Sequence, residues 1–345
     1  MHTTYEHLTP ATLPRGKRNQ ITDVAGVTVG HYTIATDTHQ TGVTAVLPCE
    51  ENPFFHKLPA GVCVLNGFGK TLGLMQIQEL GQIETPIALT NTLNVGLVHE
   101  GLVDYMLGRC AADGVDDIVS INPVVCECCD ATLSAIRVRA VRPEHVACAI
   151  EAAAVDFAEG CVGAGTGVIC HELKGGIGSA SRLMELDGKT YTLGVLAQTN
   201  HGRLADFRLD GEPLGKALSE RLDKHEPDKG SCILVIATDL PLDSRQLTRL
   251  ARRASVGLAR LGSYIGHGSG EVFIAFSTAN PIDPRDAVAV RPTLAFRESL
   301  MDTPFRAAGE AAEEAVLNAM LAAEGRTART GRIFPSLAEY IDELD

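Results

Sequence analysis

Leu222-Asp223-Lys224-His225-Glu226-Pro227-Asp228-Lys229-Gly230-Ser231-Cys232-Ile233-Leu234-Val235-Ile236 is the stretch on which the reading of this chain turns. A charged, loop-like segment ends in Gly-Ser, and an apolar β run starts at once. Two readings fit the junction. In one it is a turn from loop into strand; Gly-Ser recurs at Gly178-Ser179, Gly262-Ser263 and Gly268-Ser269. In the other the chain is cut between Gly230 and Ser231, leaving a serine at the mouth of a buried strand. That serine carries its own base, a free α-amine with a reference pKa of about 7.7–8.0. A hydroxyl nucleophile paired with a base near neutral pH is what amide hydrolysis needs.

The chain around this junction is long enough for one large or two ordinary domains, at 345 residues. With 45 % hydrophobic residues and no Trp, small aliphatic side chains carry the packing. The net charge of -13 excludes a general phosphate-binding surface, so no nucleic-acid partner is expected. No apolar signal segment opens the chain and no run is long enough to span a bilayer, so no membrane partner is expected either. Ten cysteines are present. Those in apolar runs, Cys63 and Cys148, read as small buried hydrophobes, and a reducing cytoplasm is the expected compartment.

Short apolar runs alternate with helical patterns. Strands are expected at 27–32, 44–47, 61–65, 87–90, 118–121, 191–197, 233–237 and 271–278. Helices are expected at 95–110, 144–158, 243–261, 308–324 and 336–344, with Pro143 opening the second and Asp243 or Ser244 capping the third. The basic face of that third helix (Arg245, Arg249, Arg252, Arg253, Arg260) reads as a solvated surface. A single linker is expected at about 209–230. The strands are nearly continuously apolar, which predicts an α/β or α+β fold with sheets covered on both faces.

Four local constellations bear on chemistry. The runs Gly160 to Gly167 and Asn66 to Thr71 lack complete nucleotide-loop spacing. Cys126-Glu127-Cys128-Cys129-Asp130 lacks the second ligand pair of a zinc site, so neither metal nor cofactor is expected. Glu127 and Asp130 are carboxylates after a strand, suited to a substrate ammonium or to capping a loop. Ser269 and Glu271 are two residues apart, on one face of an extended segment, suited to relaying a proton or simply to forming a turn.

Taken together, these segments resemble the P1-type peptidases, the DmpA-like L-aminopeptidase/D-esterase and β-peptidyl aminopeptidase group. The resemblance runs from about Asn19 to Ala279. It is carried by Asn19 to Val27, Thr41 to Ala45, Asn66 to Lys70, Glu84 to Ile87, Thr90 to Leu93, Lys174 to Arg182, Gly230-Ser231, Ile236 to Asp239 and Gly268 to Glu271. It implies a self-cleaving αββα sandwich of one domain, with an α segment 1–230 and a β segment 231–345 after a cut at Gly230-Ser231, assembled as a homotetramer of αβ units. By it Ser231 is the nucleophile, Ser269 and Glu271 its supporting pair, Asn200 the oxyanion donor, Lys174 a further catalytic residue, and Glu127 the holder of the substrate amine. The implied substrate is a small peptide, amino-acid amide or ester. A related ω-amino amide hydrolase and an uncut, silent scaffold are the alternatives. One departure stands out: the group's tyrosine near the acidic segment is missing, since Asp130-Ala131-Thr132-Leu133-Ser134 is followed by no tyrosine before Thr190. Loss of an oxyanion donor costs about 10²–10³ in rate.

Overall fold

The computed structural model describes Leu8 and residues 11–222 and 230–341. The strands are β1 (Thr28–Ala35), β2 (Gln40–Leu47), β3 (Leu58–Gly67), β4 (Gln82–Ile83), β5 (Ile87–Asn91), β6 (Val124–Cys128), β7 (Ile169–Cys170), β8 (Leu173–Lys174), β9 (Ile177–Leu186), β10 (Lys189–Asn200), β11 (Ser231–Thr238), β12 (Gly270–Ser277), β13 (Arg326–Thr327) and β14 (Ile333–Phe334). The helices are α1 (Leu74–Leu80), α2 (Val95–Ala112), α3 (Glu144–Glu151), α4 (Leu214–Leu222), α5 (Ser244–Arg260), α6 (Asp302–Leu321) and α7 (Ala338–Ile341). Two sheets dominate, one of order β1-β2-β5-β6 and one of order β4-β3-β12-β11-β10-β9.

Side-chain alternation along β11 shows how the layers form. Ile233, Val235 and Ala237 join Val46, Ile87, Leu89 and Cys126 in the core between the sheets. Cys232, Leu234 and Ile236 face the opposite way, into a core shared with Leu247, Leu250 and Ala254 of α5 and Ala308, Ala311 and Ala315 of α6. A third core packs Val98 and Leu102 of α2 and Val146 and Ala149 of α3 against Val43, Ala45 and Ala88. The order of layers is therefore helix, sheet, sheet, helix. Alanines let α6 lie close to its sheet, which suits a chain without Trp. Burying both faces of β11 stabilises it by about 1.5–3 kcal/mol for each large aliphatic residue. Ser231, its first residue, starts from a firmly anchored strand.

Several elements differ from the sequence expectation. No strand forms at 118–121, where Val119 is almost fully exposed. The strand is Val124–Cys128, just beyond Pro123, and it pairs parallel with β5. α3 stops at Glu151 because Ala154 instead exchanges backbone hydrogen bonds with Val29 of β1. The expected linker holds α4, while 223–229 and the end of the last expected helix lie outside the described residues. Asp243 caps α5 in a reciprocal box with Gln246, as the pattern predicts. The basic face of α5 is partly engaged: Arg245 and Arg249 pair with Glu298, Arg260 pairs with Glu313, and Arg253 lies over Phe305. Cys63 is buried, whereas Cys148 is exposed on α3.

Candidate active site

The site lies where the first residue of β11 meets the last of β10. Ser231 sits opposite Asn200 across an antiparallel pair and beside Gly270 across a parallel one. Ser231 Oγ donates a hydrogen bond of 2.7 Å to the carbonyl oxygen of its own predecessor, Gly230. The same oxygen accepts the backbone N–H of Gly270 at 3.1 Å. Two donors thus converge on one carbonyl, and one of them is the hydroxyl next to its carbon. Gly230 has no room for a side chain: a Cβ there would lie 1.8 Å from the Asn200 carbonyl oxygen. Gly230→Ala is therefore expected to displace the junction and slow any cut there, as read from the full-length fraction on a denaturing gel over time.

Asn200 Oδ1 accepts the backbone N–H of Ile169 at 3.0 Å. This fixes the amide so that its Nδ2 protons point to the other side. The Val168–Ile169 peptide that holds Asn200 is itself held, because Lys174 Nζ donates to Val168 O at 3.0 Å. Lys174 also donates to Gly165 O at 3.2 Å and Gly175 O at 2.5 Å. Burial pushes the Lys174 ammonium down to about 8. Nζ donates to three backbone carbonyls and has the Cys161 side chain beside it, and its link toward Ser231 runs through this peptide and Asn200.

On the other side, Ser269 Oγ donates to Glu271 Oε1, and both side chains are fully buried. Asn66 Nδ2 ties down the preceding turn by donating to the carbonyls of Gly266 and His267, each at 3.1 Å. Glu127 stands on the side of β6 opposite Cys126 and Cys128. Its oxygens accept the Lys70 backbone N–H at 3.0 Å and the Thr92 hydroxyl. Gly69 bridges it to the junction, since a Cβ there would lie 3.7 Å from Glu127 Oε1 and 3.9 Å from Gly270 Cα. Cys128 Sγ contacts the Ser231 carbonyl at 3.4 Å.

Asp130 lies deeper, accepting Asn91 Nδ2 at 2.9 Å, and burial pushes its carboxyl up to about 6. Cys126 and Cys128 are packed into the core between the sheets. Thr132, in the tyrosine's place, is exposed, and Leu133 beside it packs with Ala328 and Phe334 against Ile169, the residue that holds Asn200. The structure thus brings together Ser231, Gly230, Asn200, Ser269, Glu271 and Glu127. It sets Asp130 behind Asn91 and Lys174 behind Val168. The sequence reading missed the Gly270 N–H, Lys70 N–H and Thr92 hydroxyl. A backbone donor leaves no side-chain signature, although Gly270 lay within a Gly-Ser-Gly-Glu run already singled out.

A family model for peptidase family S58 matches residues 19–334. The chain belongs to peptidase family S58. The S58 chain is 38 % identical over 338 residues to the beta-peptidyl aminopeptidase BapA of Sphingosinicella xenopeptidilytica, covering 90 % of this chain and 83 % of that one. Among solved structures it is similar to a protein of Pyrococcus horikoshii OT3, with a TM-score of 0.92, 45 % identity and coverage of 99 % and 97 %. It is also similar to the L-aminopeptidase D-Ala-esterase/amidase of Ochrobactrum anthropi, with a TM-score of 0.89, 36 % identity and coverage of 95 % and 93 %. That enzyme is described as a prototype of the serine aminopeptidases and a new variant of the Ntn hydrolase fold. The S58 chain shares this fold, which bears out the αββα sandwich expected from the sequence.

Proposed function

We propose that this S58 peptidase is a self-processing aminopeptidase whose nucleophile is Ser231, acting on small peptides, amino-acid amides or esters with a free amino end. The observation that carries the reading is the Gly230 carbonyl, held by the Gly270 N–H with the Ser231 hydroxyl beside it. In the precursor the hydroxyl turns from oxygen to carbon. A bond forms from Ser231 Oγ to the Gly230 carbonyl carbon, the C–N bond breaks, and the Ser231 nitrogen takes up the proton. Water then hydrolyses the resulting ester, freeing the Gly230 carboxylate and restoring the hydroxyl. The cut leaves segments 1–230 and 231–345.

In turnover the same hydroxyl attacks a substrate carbonyl, with the new α-amine as base. The Gly270 N–H and Asn200 Nδ2 stabilise the oxyanion, and the Ser269–Glu271 pair orients the proton path. Glu127 receives the substrate ammonium, and Asp130 adds negative charge behind it. Lys174 acts as a positioning residue through the Val168–Ile169 peptide.

Self-association into a homotetramer of αβ units is supported by exposed apolar side chains such as Met75, Leu80, Val290 and Leu294. A cytoplasmic setting is supported by ten unbridged cysteines. No helix among the described residues is long and apolar enough to cross a membrane.

The test is an intact-mass spectrum of the purified wild-type chain under denaturing conditions. Two species with the masses of 1–230 and 231–345 are expected; a single full-length mass, persisting on incubation, overturns the self-processing reading.

A further inference from the structure

Behind Asn200 lies a second cluster that the proposed chemistry does not use. Cys170 Sγ, a ring nitrogen of His171 and a ring nitrogen of His201 lie within 4.8 Å of one another, and all three residues are buried. Cys170 Sγ is 4.0 Å from His201 Nδ1. Tetrahedral zinc, with Zn–S of about 2.3 Å and Zn–N of about 2.0 Å, places sulfur and nitrogen about 3.6 Å apart. That pair is within a few tenths of an ångström of this spacing, and the cluster as a whole, within 4.8 Å, tightens by about 1 Å on binding.

The surroundings are built as a ligand set would be. His171 Nδ1 lies 3.0 Å from the Arg203 carbonyl oxygen. A carbonyl only accepts, so Nδ1 carries the proton and Nε2 keeps the lone pair that a metal takes. The His171 ring lies flat over Gly202, where a Cβ would come within 2.4 Å of it. Among the described residues, the buried Nε2 of His201 has no hydrogen-bond partner, so no neighbour opposes the tautomer that leaves the Nδ1 lone pair facing Cys170 Sγ. The two-residue turn between β7 and β8 is His171-Glu172, with φ of 48° and 58°. Turns of that kind favour Asn and Gly, so a histidine held there is strained.

We propose that Cys170, His171 and His201 bind one divalent transition-metal ion of the zinc type, which staples together the two segments that hold Asn200. Cys170 follows Ile169, whose N–H fixes the Asn200 amide, and His201 follows Asn200 itself. As the metal–sulfur bond forms, the Cys170 thiol releases its proton to solvent, and both imidazoles ligate in the neutral form. One thiolate and two imidazoles suit zinc or cobalt better than magnesium or calcium. The three residues fill three of the four tetrahedral positions.

The test uses the full chain, stripped with a chelator and titrated with Co²⁺ as a spectroscopic stand-in for zinc. One ion per chain is expected, with a thiolate-to-cobalt charge-transfer band, tetrahedral visible bands, and one sulfur and two imidazole nitrogens in the X-ray absorption shell. Cys170→Ser should abolish the charge-transfer band and weaken binding by more than the roughly 10–100-fold that loss of an outer-shell partner costs. His201→Gln should weaken it likewise while keeping the band. The absorption shell is read on the unaltered protein, so a variant that fails to fold does not blunt the test. Absence of binding, a shell without sulfur, or a charge-transfer band that survives in Cys170→Ser would overturn the proposal; the last result would point to a surface thiol such as Cys129 or Cys148.

Discussion

Ser231→Ala yields one uncut chain of 345 residues and no measurable release of amine from an amino-acid amide. The substitution removes the hydroxyl that lies 2.7 Å from the Gly230 carbonyl oxygen and nothing else of size. Its cost in stability is that of one hydrogen bond, about 0.5–1.5 kcal/mol, so the fold survives. Turnover falls by a factor on the order of 10⁶, the scale on which hydrolases lose a nucleophile. The loss has two sources: the nucleophile is gone, and the uncut chain keeps its own Gly230 carbonyl against Gly270 N–H. Intact mass and an amidase assay on the same sample check both. A variant that is still cut at residue 230, or that still turns over amide, refutes the assignment of Ser231.

Asn200→Ala slows each catalysed step by about 10²–10³, the cost of one oxyanion donor. Because Asn200 Oδ1 accepts the Ile169 N–H, the variant also leaves that backbone donor unsatisfied. This destabilises the fold by about 1–3 kcal/mol. The two effects separate experimentally. Turnover per cut chain, measured well below the melting temperature, reports the oxyanion term, while thermal unfolding reports the second. Self-cleavage should slow alongside amide turnover if one donor serves both. Unchanged turnover in a merely less stable protein would reduce Asn200 to a structural residue.

Much of this arrangement was legible in the chain because its parts are local. The apolar run after Gly230-Ser231 announces β11, and the spacing of Ser269 and Glu271 anticipates their hydrogen bond. The capping residue Asp243 announces the start of α5. What was not legible depends on contacts between distant segments or on backbone groups. The Gly270 N–H has no side chain to betray it. Lys174 resembles a catalytic lysine by position, yet its role is decided by three carbonyls from neighbouring turns. β6 lies beyond the apolar run 118–121 that reads as a strand, because pairing with β5 begins only after Pro123, where alternation buries Cys126 and Cys128 between the sheets. Conversely, Cys170, His171 and His201 meet only after β8, β9 and β10 have folded back, and their spacing in sequence matches no metal motif.

The order of strands in the larger sheet has a consequence for any chain cut at Gly230. β11 and β12 lie between β3 on one side and β10 on the other. After a cut at Gly230, the two central strands belong to one polypeptide and both flanks to the other. The halves are threaded through each other, so one cannot leave without tearing two ladders of the same sheet. Loss of the native state then means dissociation as well as unfolding, and recovery becomes a meeting of two molecules. Endurance of the cleaved protein is governed by an escape rate rather than by a folding equilibrium.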